Sequence, residues 1–164
     1  IFPSWVQGAV VKALLEAQPY EEVAFDIVAL DNQYNAIGSG LIGHLPGPME
    51  EKALLQHVKQ AFKLEVIRHT PLCGQKIQKV ALCGGAGSFL IFNALHAGAD
   101  IYITADVKYH EFFDADKKMV LADIGHYESE QFTIDLLYDI LVEKFPTFAV
   151  LKTAVNTNPL VYFA

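Results

Sequence analysis

Apolar positions fall into short periodic blocks, separated by turns rich in glycine and proline. In SWVQGAVVKALLEA (4–17) they recur at Val6, Val10, Ala13, Leu14 and Ala17, the spacing of one helical face, with Ser4 placed as N-cap and Pro19 as the stop. EEVAFDIVAL (21–30) alternates and is rich in β-formers, which predicts a strand. DNQYNAIGSG (31–40) reads as a turn and GLIGHL (40–45) as a short strand. LPGPMEE (45–51) reads as a linker whose acids suit the first turn of a following helix. The boundary between an N-terminal segment, 1–45, and a main domain, 46–164, is placed there.

Beyond it the pattern is regular. MEEKALLQHVKQAF (49–62) is an amphipathic helix with Leu54, Leu55, Val58 and Phe62 on one side. LEVIRH (64–69) and KVALCG (79–84) read as strands, the second a nearly continuous apolar run of the kind buried on both faces. SFLIFNALHAG (88–98) is a helix closed by Gly98, DIYITA (100–105) a buried strand, KYHEFFDA (108–115) a short helix and KMVLADI (118–124) another strand. A helix over 127–145 places Phe132, Leu136, Leu137, Ile140 and Leu141 inward, Pro146 stops it, and TFAVLK (147–152) is a last strand. Strands alternating with helices predict an α/β fold, with a mainly parallel or mixed sheet covered by helices on both faces.

Composition narrows the classes. Hydrophobic residues make up 52% and charged residues 19% of 164 residues, with the apolar ones dispersed. No apolar run reaches the roughly 18 residues of a membrane span. The net charge of −7, with Lys and Arg scattered singly, speaks against a nucleic-acid groove and weakly favours cationic partners such as metal ions. Two cysteines, Cys73 and Cys83, make neither a disulfide framework nor a CxxC motif, so a reduced, cytoplasmic setting is expected.

Ligands of such sheets bind at the carboxyl ends of the strands, which singles out three loops. GGAGS (84–88) follows the second long strand. Gly85, Gly87 and Ser88 form either a phosphate-approaching loop at a helix N-terminus or a tight turn capped by Ser88. ADVKYH (105–110) sets Asp106 and His110 four residues apart, either a capping acid with a surface histidine or a functional pair on one helical face. GHYESE (125–130) sets His126 and Glu130 four residues apart at a helix start. An imidazole and a carboxylate on one side suit a cation, while acids in a first turn also stabilise the helix dipole without one. Asp123 would support a ligand, and Glu128 would face ordinary surface. His44, His57, His69 and His96 carry no such pattern.

Taken together and in order, KVALCGGAGSFL, GADIYITADVKYHEFFDA and ADIGHYESEQF resemble the C-terminal half of the Nif-three-like (NGG-interacting-factor-three-like) family, whose bacterial members are called GTP cyclohydrolase I type 2 homologs. AQPYEEVAFDIVAL resembles the end of the PII/CutA-like domain that many members carry inserted, with Gln18 where that motif usually has His. The resemblance implies that 1–45 ends such an insert and that 46–164 is the C-terminal half of a metal-binding domain. It further implies two divalent ions (Zn, Fe, Mn or Mg), with His126 and Glu130 as ligands and Asp106 and His110 lining the cleft. Its remaining ligands, a His-His pair and an Asp, belong to the family's N-terminal half, and no His-His dipeptide occurs here. A partial ligand set binds metal weakly. The resemblance also implies a homo-oligomer, a hexameric ring in intact members. Two function classes stay open: a metal-dependent hydrolase of a nucleotide or phosphoester-like small molecule, and a non-catalytic regulatory or scaffold module acting through protein partners.

Overall fold

A computed structural model describes residues 1–30 and 37–163. The chain divides into two units, 1–36 and 37–164. In the first, a 3-10 turn at Ser4–Val6 leads into α1 (Gln7–Ala17), which has no buried residue. Residues 21–30 form no strand, contrary to their alternation. A strand's backbone groups need a neighbour, and among the described residues of this unit there is no second strand. The turn expected over 31–40 lies partly, at 31–36, outside the described residues.

The second unit is built on a five-stranded sheet in the order β1-β3-β4-β5-β2. The strands are β1 (Leu41–Glu50), β2 (Arg68–His69), β3 (Lys76–Ala86), β4 (Ile101–Ala105) and β5 (Val120–Asp123). β3, β4 and β5 run parallel, and the two edges, β1 on β3 and β2 on β5, are antiparallel. The sheet is therefore mixed around a parallel centre.

The expected linker is strand, and the unit that contains it begins at Ile37. The register of β1 on β3 is irregular between His44 and Met49, which is where Pro46, Gly47 and Pro48 fall. A proline has no N–H for a ladder, so it is tolerated on an edge strand at a bulge, which is where these lie.

The centre alternates as a sheet covered on both faces must. On β4, Ile101 and Ile103 join one cluster while Tyr102 joins the other; on β5, Val120 and Ala122 join the first and Leu121 the second. The first cluster is closed by Leu54 and Val58 of α2 (Glu51–Ala61), and the second by Ile91 and Ala94 of α3 (Ile91–His96) together with Val107, Ala115 and Met119. Gly98, at φ +68°, ends α3, with the N–H of Ala99 reaching back to the carbonyl of Ala94 at 3.0 Å. The buried Glu51 carboxylate accepts from the backbone N–H of Cys73 (2.7 Å) and Gly74 (3.1 Å), tying α2 to the loop that enters β3.

After β5 the expected single helix is two: α4 (His126–Glu130) and α5 (Thr133–Lys144). No residue of α5 is buried, so the apolar face read from its period is not packed inward. Leu136, Leu137, Ile140 and Leu141 are exposed. Residues 147–152 form no strand, and no strand among the described residues pairs with them.

Candidate functional site

Three loops leave the carboxyl ends of β3, β4 and β5 side by side, because parallel neighbours end at the same edge of a sheet. The register fixes this: Ala86 lies opposite Ala105, and Thr104 opposite Asp123. Asp106 follows β4 at φ +54°, so the backbone swings out of the strand and does not enter the next helix. That 3-10 helix starts at Tyr109 (Tyr109–Ala115), with Glu111 accepting from the N–H of Lys108 at 2.7 Å. Asp106 therefore neither caps it nor shares a helical face with His110.

Its carboxylate reaches across to the next loop. His126 Nδ1 donates to Asp106 Oδ2 at 2.6 Å, and a carboxylate can only accept, which assigns the ring proton to Nδ1. The other ring nitrogen, Nε2, is left 3.4 Å from Glu130 Oε2, one turn on in α4. All three side chains are about half exposed. The hydrogen bond to Asp106 raises the His126 pKa above the ordinary 6.5, against the opposing effect of burial, and the nearby charges of Asp106 and Glu130 add to the rise.

A buried framework holds the loops. Asp123, at the end of β5, is 4% exposed. Its Oδ2 accepts from Arg68 and from the N–H of Val107 (3.0 Å), and its Oδ1 accepts from the N–H of Gly125 (3.0 Å). Arg68 also donates to the Val107 carbonyl at 3.1 Å. One buried acid thus fixes both the loop carrying Asp106 and the turn into His126, a broader task than supporting a single ligand.

Gly85 is buried at φ +62° beneath Glu130; its N–H donates to Ser129 Oγ at 2.9 Å and its carbonyl accepts from Thr104 Oγ1 at 3.3 Å. Gly87 lies under Thr104, Tyr102 and Cys83, with its carbonyl accepting from the Tyr102 hydroxyl at 2.7 Å. Burial pushes that phenol up to about 12. Ser88 opens a 3-10 turn, Ser88–Leu90. His110 is exposed, its ring edge-on to Tyr109 with centroids 5.2 Å apart, and it makes no hydrogen bond to Asp106, His126 or Glu130 among the described residues.

The sequence pattern misplaces Glu128. It is buried at 8% exposure rather than on ordinary surface, with Oε1 accepting from the Tyr162 hydroxyl at 3.1 Å. Its Oε2 has no hydrogen-bond partner among the described residues. Gly125, at φ +89°, has the room this carboxylate needs, since a Cβ there would overlap Oε2. Arg68, Ser129 and Tyr162 also serve the site, and no spacing in the sequence marks them, because each depends on where distant segments meet.

The donor set fits part of a divalent-metal site. An imidazole whose Nδ1–H is held by a carboxylate presents Nε2 as the ligand atom, and a second carboxylate stands beside it. Two donors do not complete a coordination shell, and among the described residues no group of three or more His, Cys, Asp or Glu is suited to hold a metal.

The fold and site define an α/β protein with a histidine–carboxylate centre at the carboxyl edge of a parallel sheet core. The family model Duf34/NIF3 (NGG1p interacting factor 3) matches residues 8–159, and the chain belongs to that family. It is 33% identical over 160 residues to a GTP cyclohydrolase 1 type 2 homolog of Halalkalibacterium halodurans, covering 95% of this chain and 43% of that one. The homolog of Mycobacterium leprae is 33% identical over 164 residues, covering 97% and 43%. A solved Bacillus cereus protein related to NIF3 superposes with a TM-score of 0.72 at 32% identity, over 99% of this chain and 46% of that one. The chain thus spans less than half the length of these relatives. No helix among the described residues is long and apolar enough to cross a membrane.

Proposed function

We propose that His126 and Glu130 are metal ligands and that the intact protein is a metal-dependent hydrolase of a nucleotide or phosphoester-like small molecule. The observation that carries the reading is the chain of contacts from Asp106 through His126 to Glu130. Asp106 fixes the tautomer and plane of the imidazole, so Nε2 is a ready lone pair and not a rotating ring. Glu130 supplies an anionic oxygen next to it. A bound divalent ion there supplies Lewis acidity and a water of lowered pKa. Asp106 and the exposed His110 of the neighbouring loop would position water or substrate beside that ion. Gly87 and Ser88 stand at the same edge as candidates for contact with a substrate anion.

The remaining ligands of a two-ion centre come, in this proposal, from outside 1–164, as the family resemblance implies. The assignment of 1–45 to the end of a PII/CutA-like insert, ring-shaped self-association and a cytoplasmic location belong to the same proposal and rest on that resemblance.

The test uses the full-length protein. Bound metal is quantified in wild type, His126→Ala, Glu130→Ala and the double variant, and each is screened against nucleotides and phosphoesters. The proposal expects near-stoichiometric metal in wild type, its loss in the double variant, and loss of any turnover with it. Full metal retention by the double variant contradicts the ligand assignment. Metal lost with it, but no turnover by wild type in a broad screen, supports instead the non-catalytic regulatory module.

A further inference from the structure

We propose that Gly85 and Ser129 are positioning residues for the His126–Glu130 pair. Gly85 leaves the space in which the Glu130 carboxylate sits, and Ser129 joins the end of β3 to the first turn of α4. This deepens the metal-ligand reading and rests on it for its consequence in metal affinity, though not for its geometry.

Two features of Gly85 are set by its surroundings. Its φ of +62° is a region that residues with a Cβ rarely adopt. A Cβ built on it would overlap Glu130 Oε1, stand 3.3 Å from Glu130 Cδ and stand 3.4 Å from His126 Cε1. The missing side chain is therefore the seat of the carboxylate, and any replacement must displace the Glu130 carboxylate from the place it holds beside the imidazole.

The polar groups of the same peptide are already committed. The Gly85 N–H donates to Ser129 Oγ at 2.9 Å, and Ser129 Oγ donates to the His126 carbonyl at 2.8 Å. Thr104 Oγ1 donates to the Gly85 carbonyl at 3.3 Å. One hydroxyl thus bridges the β3 loop and the backbone of His126, fixing the height of α4 above the glycine. An N–H already used in this way does not face an anion, so Gly85 acts through shape and the Ser129 stitch.

The experiment compares full-length wild type with Gly85→Ala, Ser129→Ala, Ser129→Thr and Glu130→Gln. In metal-free protein, the His126 ring-nitrogen resonances are followed by NMR alongside thermal melting. Zinc affinity is then measured by competition with a chelating dye. The expected result is that Gly85→Ala moves the His126 resonances as Glu130→Gln does and weakens zinc by about tenfold or more. Ser129→Ala should weaken zinc severalfold, and Ser129→Thr, which keeps the hydroxyl, should restore it.

A purely structural glycine would lower the melting temperature while leaving His126 at its wild-type resonances, and that result overturns the proposal. So does a Gly85→Ala protein that loses binding of inorganic phosphate but keeps zinc and the His126 signals. If Gly85→Ala does not fold, the serine pair decides: equal zinc affinity in Ser129→Ala and wild type overturns the role. A wild type that binds no zinc, with Gly85→Ala still displacing the ring signals, overturns the metal reading and leaves the positioning role standing.

Discussion

Asp106 and Glu130 take opposite sides of one imidazole, and the neighbouring Glu128 turns away into the protein beneath Tyr162. Three acids within reach of one turn thus have three environments. The spacing of GHYESE made the His126–Glu130 pair legible, because residues four apart share a helical face. It said nothing of Asp106 as their neighbour, since a contact 20 residues away in sequence depends on where two loops meet. Nor did it show that Glu128 is buried, since its partner comes from the far end of the chain.

That burial yields a prediction. Tyr162→Phe leaves both oxygens of the buried Glu128 carboxylate without a donor among the described residues and should destabilise the chain by about 1–2 kcal/mol in urea unfolding. Burial, then the bond to Glu128, raises the Tyr162 phenol above its ordinary 10.0. The neutral phenol's contribution is therefore complete below pH 10.0 and is lost as pH rises through the higher folded value. The gap between wild type and Tyr162→Phe should accordingly narrow at strongly alkaline pH. A gap that widens there would contradict the assignment.

At the level of elements, the parallel core was readable because buried strands are short, nearly continuous apolar runs, and β3, β4 and β5 lie within or around the runs expected. The edges were less so. β1 carries two prolines that mark a linker in sequence, yet an edge strand with a bulge accommodates them. LEVIRH gives only a two-residue strand. For α5 the period located the helix but not what its apolar face packs against; a pattern records which side chains favour burial, not whether a surface exists to bury them.

The contrast is measurable. Leu121 is fully buried and Leu136 is 60% exposed. Leu121→Ala should therefore cost about 2–5 kcal/mol, whereas Leu136→Ala should stay within about 0.5 kcal/mol. Denaturant midpoints of the 164-residue chain test both, and equal costs would contradict the packing described.

For the molecule as a whole, three parallel strands of one sheet bring three loops to one edge, and that arrangement turns a dispersed set of residues into a site. The loops were identifiable in advance from the order of strands and helices alone. The framework beneath them was not, because the Asp123–Arg68 pair and the Gly85–Ser129 stitch join segments 55 and 44 residues apart. The central claim is that His126 and Glu130 bind one divalent ion with Asp106 behind the histidine. It is tested most directly by anomalous diffraction from zinc-soaked crystals of the full-length protein. The predicted result is an anomalous peak within bonding distance of both His126 Nε2 and a Glu130 carboxylate oxygen, with Nδ1 still hydrogen-bonded to Asp106. A peak bound elsewhere, at His110 or on the surface, with His126 Nε2 unligated, would contradict it.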